Sequence, residues 1–118
     1  MELVKLSTPA LALMALAIVG TALSGPAAAT GSAEAGQAKS VTCSACHGMD
    51  GNSLNPEWPS LAGQHESYLV KSLQSFKSGA RQNVLMSGMA LPLTDEDMVD
   101  LAAYFAAQKR AGGVADPE

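Results

Sequence analysis

"SVTCSACHGMDGNS", residues 40–53, holds the only two cysteines of the chain and, directly after the second, one of its two histidines. Two thiols and an imidazole within five positions have three ordinary uses: a redox disulfide, half of a zinc site, or the covalent seat of a haem. A thioredoxin-type dithiol needs a βαβ setting, and no strand pattern precedes this motif. A structural zinc ion needs four ligands, most often two pairs. Beyond Cys43, Cys46 and His47 the chain offers only His65 as a spare imidazole, so that set is incomplete. A disulfide across C-x-x-C closes a tiny loop and stabilises little. The third use employs all three residues, because C-x-x-C-H is the pattern of haem c attachment. On a helix, Cys43 and Cys46 stand at i and i+3 on one face, about one turn apart. There they can form two thioethers to one porphyrin, with His47 beneath the ring as an iron ligand.

The rest of the chain agrees with that reading. Residues 10–23, "ALALMALAIVGTAL", are apolar and free of charge, and "AAA" at 27–29 follows Gly25 and Pro26. That order of segments predicts a secretory signal peptide over residues 1–29, cleaved to leave one domain at 30–118. The apolar run is shorter than the roughly 20 residues a spanning helix needs, so no stable membrane insertion is expected after cleavage. The leader removes one acid and one base, Glu2 and Lys5, so the net charge of −4 is unchanged. An acidic balance excludes a nucleic-acid footprint. Trp58, Tyr68, Phe76, Tyr104 and Phe105 are the only aromatic residues. So small a domain, with so few large side chains, cannot easily build a core from its own residues. A covalent haem supplies the missing interior.

Apolar periodicity predicts an all-α domain of three main helices and two long loops, with its core at about 33–110 and a frayed tail at 111–118. "EAGQAKSVTCSACH" (34–47) reads as one helix running into the motif. Residues 48–66 are rich in glycine and proline and read as loop. In "SYLVKSLQSFKSG", Leu69, Leu73 and Phe76 recur at helical spacing, and Gly79 suits a left-handed C-terminal cap. "ARQNVLMSGMALPL" (80–93) reads as the second loop. The last helix, "TDEDMVDLAAYFAAQKR", starts on Thr94 as N-cap with three acids in its first turn, and Lys109 and Arg110 suit its other end.

An iron held by one imidazole keeps an open face, and a methionine sulfur on that face makes the site an electron carrier. Met1 and Met14 leave with the signal peptide, Met49 is too near His47 to reach across the ring, and Met98 lies on the apolar stripe of the last helix. Met86 and Met89 remain, and spacing does not separate them. A neutral, soft thioether favours ferrous iron and raises the reduction potential.

With these residues in place the chain resembles a class I cytochrome c, most similar to one haem domain of the bacterial cytochrome c-four branch. The resemblance covers about residues 33–117 and rests on "EAGQAKS", "CSACHGMDGNS", "WPSLAGQ", "YLVKSLQSFKSGAR", "LMSGMALPLTDEDMVDLAAYFAAQK" and "ADP". It implies thioethers on Cys43 and Cys46, His47 as proximal ligand and Met86 as distal ligand, with Met89 the runner-up. It also implies that the Pro59 carbonyl accepts the Nδ1 hydrogen of His47, that Trp58 packs on the haem, and that Gly36 lets the first helix cross the last near Tyr104. Arg81 and Lys77 are candidates for a propionate contact, and His65 is expected at the surface. Relatives of this branch carry two such domains, whereas this sequence stops after "ADP" and is expected to carry one haem.

No nucleophile–base pair and no second metal set stands out, so an electron-transfer protein, not an enzyme, is expected. The expectation is a periplasmic one-electron carrier with one covalent haem c. It would serve redox protein partners, a terminal oxidase or another respiratory complex among them, as a monomer or weak dimer. The alternative is the haem c subunit of a larger periplasmic oxidoreductase, such as a flavin-linked sulfide dehydrogenase. A permanent partner of that kind should find an exposed apolar stripe, and none is evident in the sequence.

Overall fold

A computed structural model describes residues 30–112. The expected signal peptide and the end of the expected frayed tail lie outside the described residues. The described chain is helical, with no strand: α1 (Ala33–Lys39), α2 (Val41–His47), α3 (Glu66–Ser78), α4 (Val84–Ala90) and α5 (Asp95–Ala106). Helix α5 is the hub, with α1 and α3 packed on it, while α4 packs on α3, and α2 follows α1 and sets Cys43 against the core cluster.

Three elements follow directly from sequence. Helix α3 ends at Gly79, whose φ of 80° is the left-handed cap expected there. Thr94 caps α5, its Oγ1 accepting the Asp97 N–H at 3.1 Å while Asp97 accepts the Thr94 N–H at 2.9 Å. This reciprocal pair satisfies two otherwise orphaned donors. The α1–α5 crossing depends on Gly36. A Cβ there would run into the Asp100 carbonyl and the Tyr104 Cβ, so only glycine lets the helices approach this closely.

Three elements differ from the sequence expectation. The single first helix breaks at Ser40, which ends α1 and starts α2. Its hydroxyl donates to Gln37 O at 2.8 Å and its own carbonyl accepts the Ser44 hydroxyl at 2.9 Å. Serine side chains that bond nearby backbone compete with the helical ladder. The second expected loop contains α4, started by Asn83, whose Oδ1 accepts the N–H groups of Leu85 and Met86 at 3.1 and 2.9 Å. The last helix stops at Ala106, so Lys109 and Arg110 lie beyond it. The backbone after it is taken by the loop that follows the cysteine motif. Asn52 donates to Lys109 O at 2.9 Å and accepts the Ala111 N–H at 2.7 Å.

The same loop is tied to α5 by the Tyr104 hydroxyl, which donates to Met49 O at 2.9 Å. Helix α1 is locked to α5 by Asp100, which accepts the Ser32 N–H at 2.7 Å and the Lys39 ammonium at 2.6 Å. Lys39 also pairs with Asp97 at 2.9 Å. The buried apolar cluster is small: Leu69, Leu101, Ala102, Tyr104 and Phe105. Met98, expected on this apolar stripe, is fully buried.

Candidate functional site

Helix α2 delivers the three motif residues to one place. Cys43 and Cys46 are half-buried and His47 is buried. No disulfide joins the two cysteines. His47 Nδ1 lies 2.7 Å from the Pro59 carbonyl oxygen. A carbonyl can only accept, so the ring proton sits on Nδ1 and the Nε2 lone pair is left available to a metal.

These residues line a cavity of about 560 Å³, the size of a pocket for a small-molecule cofactor. It is also lined by Trp58, Pro59 and Leu61 of the following loop, by Leu69, Leu73 and Phe76 of α3, and by Leu101 and Phe105 of α5. Met86 and Met89 enter it from α4. Among the described residues α2 and α4 make no contact with each other. Both line the cavity, so the cavity is what separates thiols and imidazole from thioethers. A flat apolar group gripped on both faces fits that arrangement.

Of the residues singled out from sequence as haem or iron contacts, Cys43, Cys46, His47, Trp58, Pro59, Arg81, Met86 and Met89 line this cavity and Lys77 does not. Met98 and Met49 do not line it. Met86 is half-buried, and Met89 is 47 % exposed. The Arg81 guanidinium stacks over the Phe76 ring, 4.6 Å from its centroid, at the cavity edge. Lys77 donates to the Leu93 carbonyl and is not among the lining residues, whereas Lys39, not singled out from sequence, is. His65 is exposed, at the start of α3.

Two features escaped the sequence reading. Around α4 the surface exposes Val84, Leu85, Met89 and Leu91, at 94, 65, 47 and 65 %. This corrects the expectation that no apolar stripe is exposed. Period-2 and period-3.6 patterns describe faces of one element, and this patch spans a seven-residue helix and its flanks. The second is a set of braces on the Pro59 segment, Ser53, Ser60 and Gln64, whose only sequence signal is a clustering of small polar residues beside the motif.

A thiol pair, an imidazole and two thioethers lining one largely apolar cavity are the features of a haem c protein. A family model described as cytochrome c matches residues 28–109. Cytochrome c4 from Thiocapsa roseopersicina is 58 % identical over 76 residues, covering 64 % of this chain and 39 % of that protein. A thiosulfate dehydrogenase electron acceptor from Thiomonas intermedia is 43 % identical over 76 residues, covering 63 % of this chain and 35 % of its own. The solved structure of reduced recombinant cytochrome c4 from Pseudomonas stutzeri superposes with a TM-score of 0.68 at 50 % identity, covering 75 % of this chain and 51 % of that one.

The chain belongs to the cytochrome c family. Its helical fold is that of class I, its prosthetic group is covalent haem c, and the Cys43–Cys46 pair fits the family's C-x-x-C-H motif. Family members are electron-transfer proteins and not enzymes. The chain spans about two fifths of the length of the cytochrome c4 relatives it matches.

Proposed function

We propose that this chain works as a periplasmic one-electron carrier whose iron is held by His47 and Met86. The haem supplies one chemistry, the gain and loss of a single electron at iron, and the polypeptide binds it, shields it and sets its potential. One observation carries the reading. Helices α2 and α4 do not touch, yet one brings an imidazole with a free Nε2 and the other two thioethers to the same cavity. Met86 is preferred over Met89 because it is the more enclosed of the two. A buried thioether and apolar walls both disfavour the extra positive charge of ferric iron, so a high potential is expected.

Export is supported by the leader composition of residues 1–29, since haem c is attached outside the cytoplasm. The exposed apolar side chains around α4 suit brief contact with a redox protein, of the small and wet kind typical of electron transfer. Asp95 and Glu96 add exposed negative charge that steers a basic partner at low salt. A terminal oxidase is the acceptor proposed by analogy.

A second reading, haem c subunit of a larger oxidoreductase, is favoured by that same exposed patch and by the Thiomonas relative, whose name places it beside a dehydrogenase. Purification from the native periplasm separates the two readings: a free carrier elutes alone, and a subunit elutes in fixed ratio with its enzyme.

The ligand assignment is tested by optical spectra of the oxidised protein beside Met86→Ala and Met89→Ala. Loss of the weak near-infrared thioether-to-iron band in Met86→Ala alone is expected. Its loss in Met89→Ala alone reverses the assignment, and ready binding of carbon monoxide to the ferrous wild type at neutral pH removes methionine ligation altogether.

A further inference from the structure

A carbonyl that orients an axial imidazole must itself be held, and Pro59 cannot do this through its own nitrogen, which carries no hydrogen. It lies between α2 and α3, outside any helix. We propose that Ser60 is the residue that positions the Pro59 carbonyl against His47, with Gln64 as a second anchor, and that this brace tunes the reduction potential of the iron. The inference rests on ligation of the iron by His47, as proposed above.

The Pro59 carbonyl carbon is bonded to the Ser60 nitrogen, so one planar unit carries the oxygen and ends at Ser60. Ser60 is gripped twice. Its Oγ accepts the Ser53 N–H at 3.0 Å, and its carbonyl accepts the Gln64 amide at 2.6 Å. Ser53 reaches back toward α2. Its hydroxyl lies 2.9 Å from Asn55 O and 3.4 Å from Cys46 O, the second being the weaker acceptor. A closed circuit results, from His47 to Pro59 at 2.7 Å, through the peptide to Ser60, across to Ser53 and back to the residue preceding His47. Ser53, Ser60 and Gln64 are all half-buried, which limits competition from water.

The chemistry gives the sign. An Nδ1–H donated to a carbonyl makes the opposite ring nitrogen a stronger donor, and a stronger donor favours the ferric ion. Slackening the brace weakens that bond and raises the potential. A role confined to packing the loop would leave the potential where it is.

The test uses the haem-loaded protein with Ser60→Ala, which removes the acceptor of the Ser53 N–H, and Ser60→Thr, which keeps a hydroxyl. In Ser60→Ala the preference for ferric iron is expected to fall by up to tenfold, which is up to about 59 mV for a one-electron couple. The axial imidazole Nδ1 proton, followed by NMR in deuterated water, should exchange faster. Ser60→Thr should restore both. Gln64→Ala should move both in the same direction and serves in place of Ser60→Ala if that variant fails to mature. A lowered melting temperature with unchanged potential and unchanged Nδ1 exchange overturns the inference. Wild-type ferric protein that lacks an axial-imidazole resonance overturns the His47 ligation itself, a failure that the variants are not needed to see.

Discussion

Gly36→Ala sets two effects of opposite sign against each other. Alanine is a better helix former than glycine by about 1 kcal/mol, so propensity alone makes the variant more stable. The new methyl group, however, would meet the Asp100 carbonyl and the Tyr104 Cβ, neither of which is the loose end of a flexible side chain. Helix α5 cannot readily retreat, because Asp100 is bonded to Ser32 and Lys39 of the α1 segment. Overpacking of this kind costs about 1–3 kcal/mol, and contact with backbone belongs at the upper end. The net loss should be about 2 kcal/mol, which lowers the melting midpoint of a domain this size by roughly 8–16 °C. Thermal unfolding of the haem-loaded ferric protein, followed by circular dichroism, reads it directly. Gly88→Ala is the control: it is also inside a helix, and a Cβ there meets nothing within 4 Å. That variant should be unchanged or stabler by up to about 1 kcal/mol. A Gly36→Ala midpoint equal to or above wild type refutes the close crossing of α1 and α5.

Other perturbations reach other parts of the account. Lys39 holds the Asp97 carboxyl down at about 2 and the Asp100 carboxyl below its ordinary range, through hydrogen bonds to both. A depressed carboxyl contributes stability that is complete above its unfolded value and lost as pH falls through the folded one. Wild type should therefore lose melting temperature between about pH 4 and pH 2, and Lys39→Met should flatten that part of the profile; an identical slope in the variant contradicts the clamp. Asn83→Ala removes the cap of α4 and should cost about 1 kcal/mol. On heating, its near-infrared thioether band should fade at a lower temperature than in wild type, and coincident fading would detach the cap from the methionine. Met98→Ala, at a fully buried position, should cost about 2–5 kcal/mol in a melt while leaving that band intact.

Much of the architecture was legible because local chemistry decided it. The C-x-x-C-H run, the Thr94 cap, the Gly79 stop and the apolar stripe of α3 are each settled by residues within one or two turns. What escaped was set from a distance or by weak local rivals. Helix α5 stops early because Asn52, far away in sequence, takes the backbone at Lys109 and Ala111. The break at Ser40 comes from a hydroxyl that elsewhere is tolerated inside helices. Helix α4 was hidden by Gly88 and Pro92, although Asn83 followed by Met86, Met89 and Ala90 at helical spacing was a usable signal. That Cys43, Cys46 and His47 would come together was legible because they lie within five positions of one helix. The brace on Pro59 was not, since a hydrogen bond between two serines leaves no periodic trace.

The account turns on a haem joining both thiols of α2 in the cavity that parts it from α4. Trypsin cleaves after Lys39 and Lys71 and nowhere between, so a single peptide, residues 40–71, carries Cys43, Cys46 and His47. Mass spectrometry of that peptide from exported protein should find it heavier by one haem, with no thiol left to alkylate. The same peptide at its bare mass, with both thiols free or joined in a disulfide, in a protein that is colourless and still folded, would contradict the account.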